Sequence, residues 1–115
     1  MSALSTQFGG AAKSSNAPVT DTGAVILGPI EIQSSSRVGV YVSNVGGDTL
    51  ATAKLQTSPE PAGPWIDVTD AELTALAAGD SGYFSVNNLG LKYIRLYGLT
   101  AAGDTTSTTS WFCVG

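Results

Sequence analysis

Four carboxylates lie close together in the sequence and are the residues best spaced for acid–base or metal chemistry. Asp67, Asp70, Glu72 and Asp80 fall within 14 residues. Paired carboxylates act as general acid and base, and clustered ones bind calcium. These four do not match the alternating ligand positions of a calcium-binding loop. Asp70 is better interpreted as the N-cap of a short helix over residues 71–77, and the others as solvated loop residues.

The side chains that most enzymes and metal sites depend on are largely missing. The 115 residues include no histidine and one cysteine, Cys113. Histidine is the commonest general base near neutral pH and, with cysteine, the usual ligand of zinc. His-dependent triads and ordinary zinc or iron–sulfur sites are therefore excluded. We predict no catalytic residue, no cofactor and no metal, and hence no enzyme.

The remaining candidates for a binding site are side chains on the outward faces of predicted strands. Tyr41, Tyr93 and Tyr97 would suit a flat platform for sugar rings, a subunit interface or ordinary packing, since tyrosine is enriched at interfaces. Arg95 lies between two of them in the sequence and would stack on Tyr93 or Tyr97, meet a carboxylate, or remain solvated.

The composition favours a surface that is covered by other proteins. Charged residues make up 12% of the chain, about half the usual share, while serine and threonine number 26. Interfaces are depleted in Lys, Glu and Asp, although a neutral-surfaced β domain would have the same composition. Five basic residues and a net charge of −4 make nucleic acid an unsuitable partner. No apolar stretch is long enough to span a membrane, and no signal peptide is predicted.

The strand pattern predicts an all-β fold. Apolar and polar residues alternate along 37–43, 51–57, 92–97 and 105–114, and turn residues recur every eight to twelve positions. Gly28-Pro29 interrupts the apolar run 24–32 and indicates a bulge or an edge position. We therefore predict a single antiparallel β-sandwich with seven or eight strands. Cys113 is expected to be buried in the last strand, where a free thiol behaves as a small apolar group.

The chain divides into two predicted regions. Residues 1–22 are rich in Ser, Ala, Gly and Thr without a period, which predicts an extended, flexible N-terminal arm. Leu4 and Phe8 are its large apolar residues, and they would anchor the arm on a partner or on its own domain. Residues 23–115 form the predicted sandwich.

Three segments carry a resemblance to small tailed-phage virion proteins. The first runs from Leu55-Gln56-Thr57-Ser58-Pro59 through a short loop to Trp65-Ile66-Asp67-Val68. The second and third are Gly82-Tyr83-Phe84-Ser85-Val86 and Lys92-Tyr93-Ile94-Arg95-Leu96. The resemblance covers roughly residues 37–114, leaves the N-terminal arm outside, and is shared with discoidin-like jelly-roll modules. It implies a jelly-roll or immunoglobulin-like sandwich in a virus particle.

With the composition and the absence of catalytic residues, the resemblance implies a structural protein of a bacteriophage virion, made in the host cytoplasm. The expected role is capsid decoration: a homo-oligomer that binds other virion proteins, capsid or tail subunits, and stabilises the shell. The alternative is a carbohydrate- or receptor-binding module of a virion fibre or tail. The residues predicted to contact a partner are Leu4, Phe8, Tyr41, Tyr93, Arg95 and Tyr97.

Overall fold

The computed structural model describes residues 11–32, 37–87 and 89–114, which form eight β-strands and no helix. The strands are β1 (Ala11–Thr20), β2 (Ala24–Glu31), β3 (Val38–Asn44), β4 (Leu50–Ser58), β5 (Ile66–Leu76), β6 (Ser81–Val86), β7 (Tyr93–Thr100) and β8 (Thr105–Val114). The three consecutive serines Ser34, Ser35 and Ser36 predict a turn, and they lie outside the described residues.

The strands pair into two four-stranded antiparallel sheets. The β1 sheet has the order β1-β8-β3-β6, and the β2 sheet has the order β2-β7-β4-β5. Apart from β4 and β5, consecutive strands lie in opposite sheets, which gives a double-sheet, jelly-roll-like arrangement. The predicted all-β antiparallel sandwich is confirmed, and the strand number is at the upper end of the prediction.

The core lies between the two sheets and follows the predicted alternation. Val38, Val40 and Val42 on β3 point inward, as do Ile94 and Leu96 on β7. Each such side chain contributes about 1.5–3 kcal/mol when it leaves water, so these strand faces contribute much of the stability of the fold. The intervening residues lie on the outer faces of the sheets.

Gly28-Pro29 lies in an irregular edge strand, as predicted from the sequence. β2 is an edge strand of its sheet, and its pairing with β7 shifts register between Val25 and Leu27 and again between Leu27 and Ile30. Proline has no N–H for a ladder, and an irregular edge strand tolerates that loss.

The predicted boundary of the N-terminal arm at residue 22 is wrong for the part that the structure describes. Residues 11–20 form β1, which pairs along its length with β8, and Val19 is completely buried. β1 has a polar sequence because it is an edge strand with one partner, and a register shift between Ser14 and Ala17 disturbs its alternation. The region 1–10 lies outside the described residues.

The predicted helix over residues 71–77 is also wrong. Residues 71–76 belong to β5, which pairs with β4, and Ala71 is completely buried. An isolated helix of two turns is unstable in water, whereas pairing with β4 satisfies the backbone and buries an apolar face. Asp70 is therefore not an N-cap; it has a φ of 61° at an irregularity of the strand, where Asp is among the residues that tolerate positive φ.

Cys113 is exposed, which corrects the prediction that it is buried. The alternation of β8 turns Phe112 into the core and Cys113 outward. The residue opposite Cys113 on β3 is Gly39, which has no side chain to cover the thiol.

Replacing a buried hydroxyl on β8 is expected to make the protein more stable. Thr108 Oγ1 and Ser110 Oγ are buried without a hydrogen-bond partner among the described residues. A buried unsatisfied polar group costs about 1–3 kcal/mol. We expect Thr108→Val, which keeps the shape of the side chain, to raise the free energy of unfolding by about 1 kcal/mol. Thermal or urea denaturation measures the change.

Two further threonines on β8 provide matched controls for this prediction. Thr106 Oγ1 donates to Asn44 Oδ1 at 2.6 Å, so Thr106→Val is expected to lower the stability. Thr105 is exposed, so Thr105→Val is expected to change it little. If Thr108→Val destabilised the protein as much as Thr106→Val, the hydroxyl of Thr108 would have a partner and the explanation would be wrong.

Candidate functional site

The four carboxylates singled out in the sequence do not form a catalytic or metal site. Asp67, Asp70 and Glu72 lie on β5, and Asp80 precedes β6. Within 11–32, 37–87 and 89–114, no group of three or more His, Cys, Asp or Glu side chains is arranged to hold a metal ion.

Asp67 belongs to a polar ladder on the outer face of the β2 sheet. Gln56 Nε2 donates to Asp67 Oδ1 at 2.9 Å, and Lys54 Nζ donates to Asp67 Oδ2 at 3.1 Å. The hydrogen bonds from Gln56 and Lys54 hold the pKa of the Asp67 carboxyl below its usual value. Because they favour the charged form, Asp67 is a structural carboxylate and is not available as a proton donor near neutral pH.

Arg95 extends the ladder and is held between two aromatic rings. Its Nε donates to Gln56 Oε1 at 2.7 Å. The guanidinium carbon lies 4.5 Å from the centroid of the Trp65 ring and 5.6 Å from that of Tyr97. Stacking on Tyr97 is one of the arrangements predicted from the sequence. Arg95 and both rings are therefore engaged within the chain, which leaves less of them free for a partner.

Tyr41 lies on the opposite side of the molecule from Tyr93 and Tyr97. It is on β3 in the β1 sheet, whereas the other two are on β7 in the β2 sheet. All three point outward, so they belong to two different outer faces. A single sugar platform made of the three tyrosines is therefore not formed.

The outer face of the β1 sheet carries a line of large side chains that crosses all four strands. Strand register places Lys13 opposite Trp111, Trp111 opposite Tyr41, and Tyr41 opposite Tyr83. We call these four residues the aromatic row. Lys13 Nζ is 5.2 Å from the centroid of the Trp111 ring, and the Trp111 and Tyr41 rings meet edge to face at 5.1 Å. Tyr41 is 42% exposed and Tyr83 is 77% exposed.

Small side chains flank the aromatic row on both sides. One flank contains Cys113, Gly39 and Ser85. The other contains Thr109, Ser43 and Ser81, in which the Ser81 hydroxyl donates to Ser43. The rings and Lys13 therefore stand above a low surface of hydroxyl and backbone groups.

The same face is free of negative charge although the chain is acidic. All nine carboxylates of the sequence lie elsewhere: three on β5, one on β2 and five in turns and loops. Lys13 is the one charged residue at the outward positions of β1, β3, β6 and β8 that the structure describes. Exposed aromatic side chains together with few charges are the composition of a protein interface.

Sequence reasoning identified one member of the aromatic row, Tyr41, and missed the other three. Trp111 and Tyr83 occupy outward positions of strands that were predicted correctly. The alternation in sequence could therefore have identified both as exposed aromatic residues. Their alignment with Tyr41 depends on the register between β3, β6 and β8, which the sequence does not specify. Leu4 and Phe8, the other predicted contacts, lie outside the described residues.

Among the residues that the structure describes, no helix is long and apolar enough to cross a membrane.

Comparisons with known proteins relate the chain to others by fold. No protein-family model matches it, and no curated protein sequence matches it. A crystal structure of PirA superimposes with a TM-score of 0.56 at 13% identity, covering 91% of this chain and 93% of PirA. A structure of the Bacillus endospore appendages, described as a family of disulfide-linked pili, gives 0.53 at 18% identity, covering 89% and 83% of the two chains.

A third solved structure is similar to the same extent. The SPBc2 prophage-derived protein YomS superimposes with a TM-score of 0.52 at 14% identity, covering 91% of this chain and 95% of YomS. At these identities the three structures have the fold in common with this chain, and they cover nearly all of it.

Proposed function

We propose that this chain is a non-enzymatic structural protein of a virion, a capsid decoration subunit that binds the assembled shell. The observation that carries the proposal is the outer face of the β1 sheet: an exposed aromatic row on a hydroxyl surface that lacks all nine carboxylates. Burying a surface of this kind against another protein is favourable in free energy, because its exposed aromatic side chains leave water.

Two further observations support an assembly role. The sequence resembles small tailed-phage virion proteins over residues 37–114. The fold is similar to that of a prophage-derived protein and to that of a pilus subunit from endospore appendages. The low charge of the whole chain fits a protein that works among neighbouring subunits.

The mechanism would be stabilisation by mass action. A subunit that binds the assembled lattice and not its separated parts raises the free energy of disassembly by RT ln(1 + [L]/Kd) at each site. At a free concentration one hundred times Kd this is about 2.7 kcal/mol per site. Because a shell repeats the same site many times, a modest affinity for each site produces a large total effect.

Residues 1–10 are the proposed docking segment, with Leu4 and Phe8 as its apolar anchors. The experiment is co-sedimentation of the purified protein with expanded capsids of the phage or prophage whose structural genes adjoin its own. The intact chain is expected to pellet with the shells and to raise their dissociation temperature. A variant lacking residues 1–10 is expected to stay in the supernatant.

Leu4→Ser and Phe8→Ser in the full-length chain are the matched variants, since they change two side chains and keep the length. Each is expected to weaken binding to the shell without changing the melting temperature of the free protein. If the intact chain fails to bind shells, the decoration role is wrong. If it binds equally well without residues 1–10, the docking segment is wrong.

A further inference from the structure

The aromatic row has two different ends, and this polarity determines what can cover it. Lys13, a cation, lies at the β1 end, and Tyr83, the most exposed large apolar residue that the structure describes, lies at the β6 end. Trp111 and Tyr41 lie between them. A surface with a cation at one end and an exposed π-face at the other is complementary to a reversed copy of itself, because an ammonium group is attracted to an aromatic face.

From this polarity we infer that two copies of the chain associate through the outer faces of their β1 sheets, related by a twofold axis that runs along the strands. Such an axis reverses the row, so Lys13 of one copy meets Tyr83 of the partner subunit and Trp111 meets Tyr41 of the partner subunit. An axis along the row would instead place Lys13 against Lys13 of the partner subunit, where like charges repel. Isologous pairing of this kind is the commonest form of homo-oligomer.

Charge and shape of the rest of the face agree with a second copy as the occupant. Among the described residues, no Asp or Glu occupies an outward position of these four strands, and Lys13 is the one charged side chain that pairing would bury. The positions that flank the row are small, so they do not hold the two faces apart when the row of one copy meets the row of the other. The Trp111 and Tyr41 rings meet at 68°, so they do not form the coplanar surface that stacked sugar rings require.

The size of the face sets the expected strength. Four strands spaced by about 4.8 Å and about seven residues long present roughly 450 Å² per copy. Two copies together bury roughly 900 Å², less than the roughly 1,200 Å² of stable specific interfaces, so we expect a weak, reversible dimer with a Kd no tighter than micromolar. The inference rests on the proposed assembly role, because pairing would give each soluble unit two docking segments for the repeated sites of a shell.

The test is a charge exchange measured by sedimentation velocity of the full chain between about 1 and 200 µM. Wild type is expected to show a monomer–dimer equilibrium. Tyr83→Lys places two cations opposite each other and is expected to weaken the dimer at least about tenfold. The double variant Lys13→Glu/Tyr83→Lys restores opposite charges and is expected to return Kd to within about threefold of wild type.

Ile66→Lys is the matched control for a lysine introduced at an exposed apolar position. Ile66 is 55% exposed on β5, in the other sheet, and this variant is expected to dimerise as wild type does. Circular dichroism and a melting curve for each variant establish that the fold is retained, so that loss of the dimer reports on the interface.

Cys113 gives a second measurement on the unaltered protein, because it is exposed on the same face, two residues after Trp111. With sheets about 10 Å apart, the proposed axis separates the two Cys113 Cα atoms by about 11 Å, and an axis along the row separates them by about 17 Å. A short bismaleimide linker is expected to produce a covalent dimer of wild type and much less of Tyr83→Lys.

Three results would overturn the inference: a monomer throughout the concentration range, a Tyr83→Lys variant that dimerises like wild type, or a double variant that is not rescued. These failures are separate from failure of the decoration role. A monomer that pellets with capsids contradicts the twofold pairing alone, and a dimer that ignores capsids contradicts decoration alone.

Discussion

Removing residues 1–20 is expected to leave a chain without a cooperative thermal transition, whereas removing residues 1–10 is expected to shift the melting temperature by no more than about 2 °C. The first deletion takes away β1, which pairs with β8 over most of its length. It also removes Val19, a fully buried core residue, and the partly buried Ala12 and Ala17.

The expected loss is large because several costs coincide. Without β1, β8 becomes an unprotected edge strand, and the inward row of Thr106, Thr108 and Phe112 is opened to water. Losing the burial of Val19 alone costs about 1.5–3 kcal/mol, and the lost strand pairing adds to it. A domain of this size has a total stability of about 5–15 kcal/mol, so the remaining chain has little or none left.

Circular dichroism and differential scanning calorimetry of the two truncated chains measure the contrast. Val19→Ser in the full-length chain is the point variant that matches the larger deletion, and it is expected to lower the stability by at least about 2 kcal/mol. A well-folded chain lacking residues 1–20 would show that β1 is dispensable and that the whole segment could serve as an arm.

The strands that were predicted correctly are those in which one face is in the core and the other in water. In β3 and β7, buried residues alternate strictly with more exposed ones. The sequence shows this alternation because successive residues of a strand point to opposite faces of the sheet. The bulge at Gly28-Pro29 was predictable for a related reason, because proline cannot take a place within a regular ladder.

The two errors in the fold have a common origin in tertiary context. β1 has the composition of a linker, and it is ordered because β8 offers an edge whose hydrogen-bonding groups it satisfies. Residues 71–77 contain helix-forming alanine and leucine, but β4 offers a partner strand, and positive φ values at Asp70 and Ala75 break the helical path. The secondary-structure propensity of a segment carries no information about which distant strand will lie beside it in the fold.

The candidate site depends on register, which the sequence specifies less well than it specifies alternation. The prediction that Tyr41 faces outward is correct, yet its neighbours Trp111 and Tyr83 are 70 and 42 residues away along the chain. The two candidate tyrosines closer to each other in sequence, Tyr93 and Tyr97, lie on the other sheet, on the same strand as Arg95. Which outward residues form one surface is decided by strand order.

Replacing Asn44 by Asp is expected to lower the free energy of unfolding at neutral pH by about 4 kcal/mol, comparable to breaking a buried charged pair. Asn44 is completely buried at the end of β3. Its Nδ2 donates to the carbonyl oxygens of Asp48 at 2.8 Å and Leu76 at 2.9 Å. Its Oδ1 accepts from Thr106 Oγ1 and from the Gly46 N–H.

The substitution affects two of the four partners, the carbonyl oxygens of Asp48 and Leu76, which lose their donor. A carboxylate at this position keeps the acceptor for Thr106 and Gly46 but turns a donor into an acceptor facing two carbonyl oxygens. The charge is then buried without a donor on one side, which is costly in a medium of low polarity.

The variant is also expected to depend on pH in a defined direction. Burial and the facing carbonyl oxygens disfavour the charged form, so the pKa of an aspartate at position 44 in the folded chain would lie above its unfolded value of about 3.9. A raised folded pKa means that the destabilisation is greatest above that pKa and decreases as the pH falls through it, because the protonated carboxyl can donate to one of the two carbonyls. The stability difference from wild type should therefore narrow on acidification.

Urea denaturation of wild type and Asn44→Asp between neutral pH and pH 4 measures both effects. Asn87→Asp is the matched control: Asn87 is exposed, its Oδ1 accepts from Arg37 Nε at 3.1 Å, and a carboxylate can accept the same hydrogen bond. Its stability is expected to remain within about 0.5 kcal/mol of wild type at every pH. An Asn44→Asp variant as stable as this control would mean that the amide does not tie the end of β3 to β5 and β8.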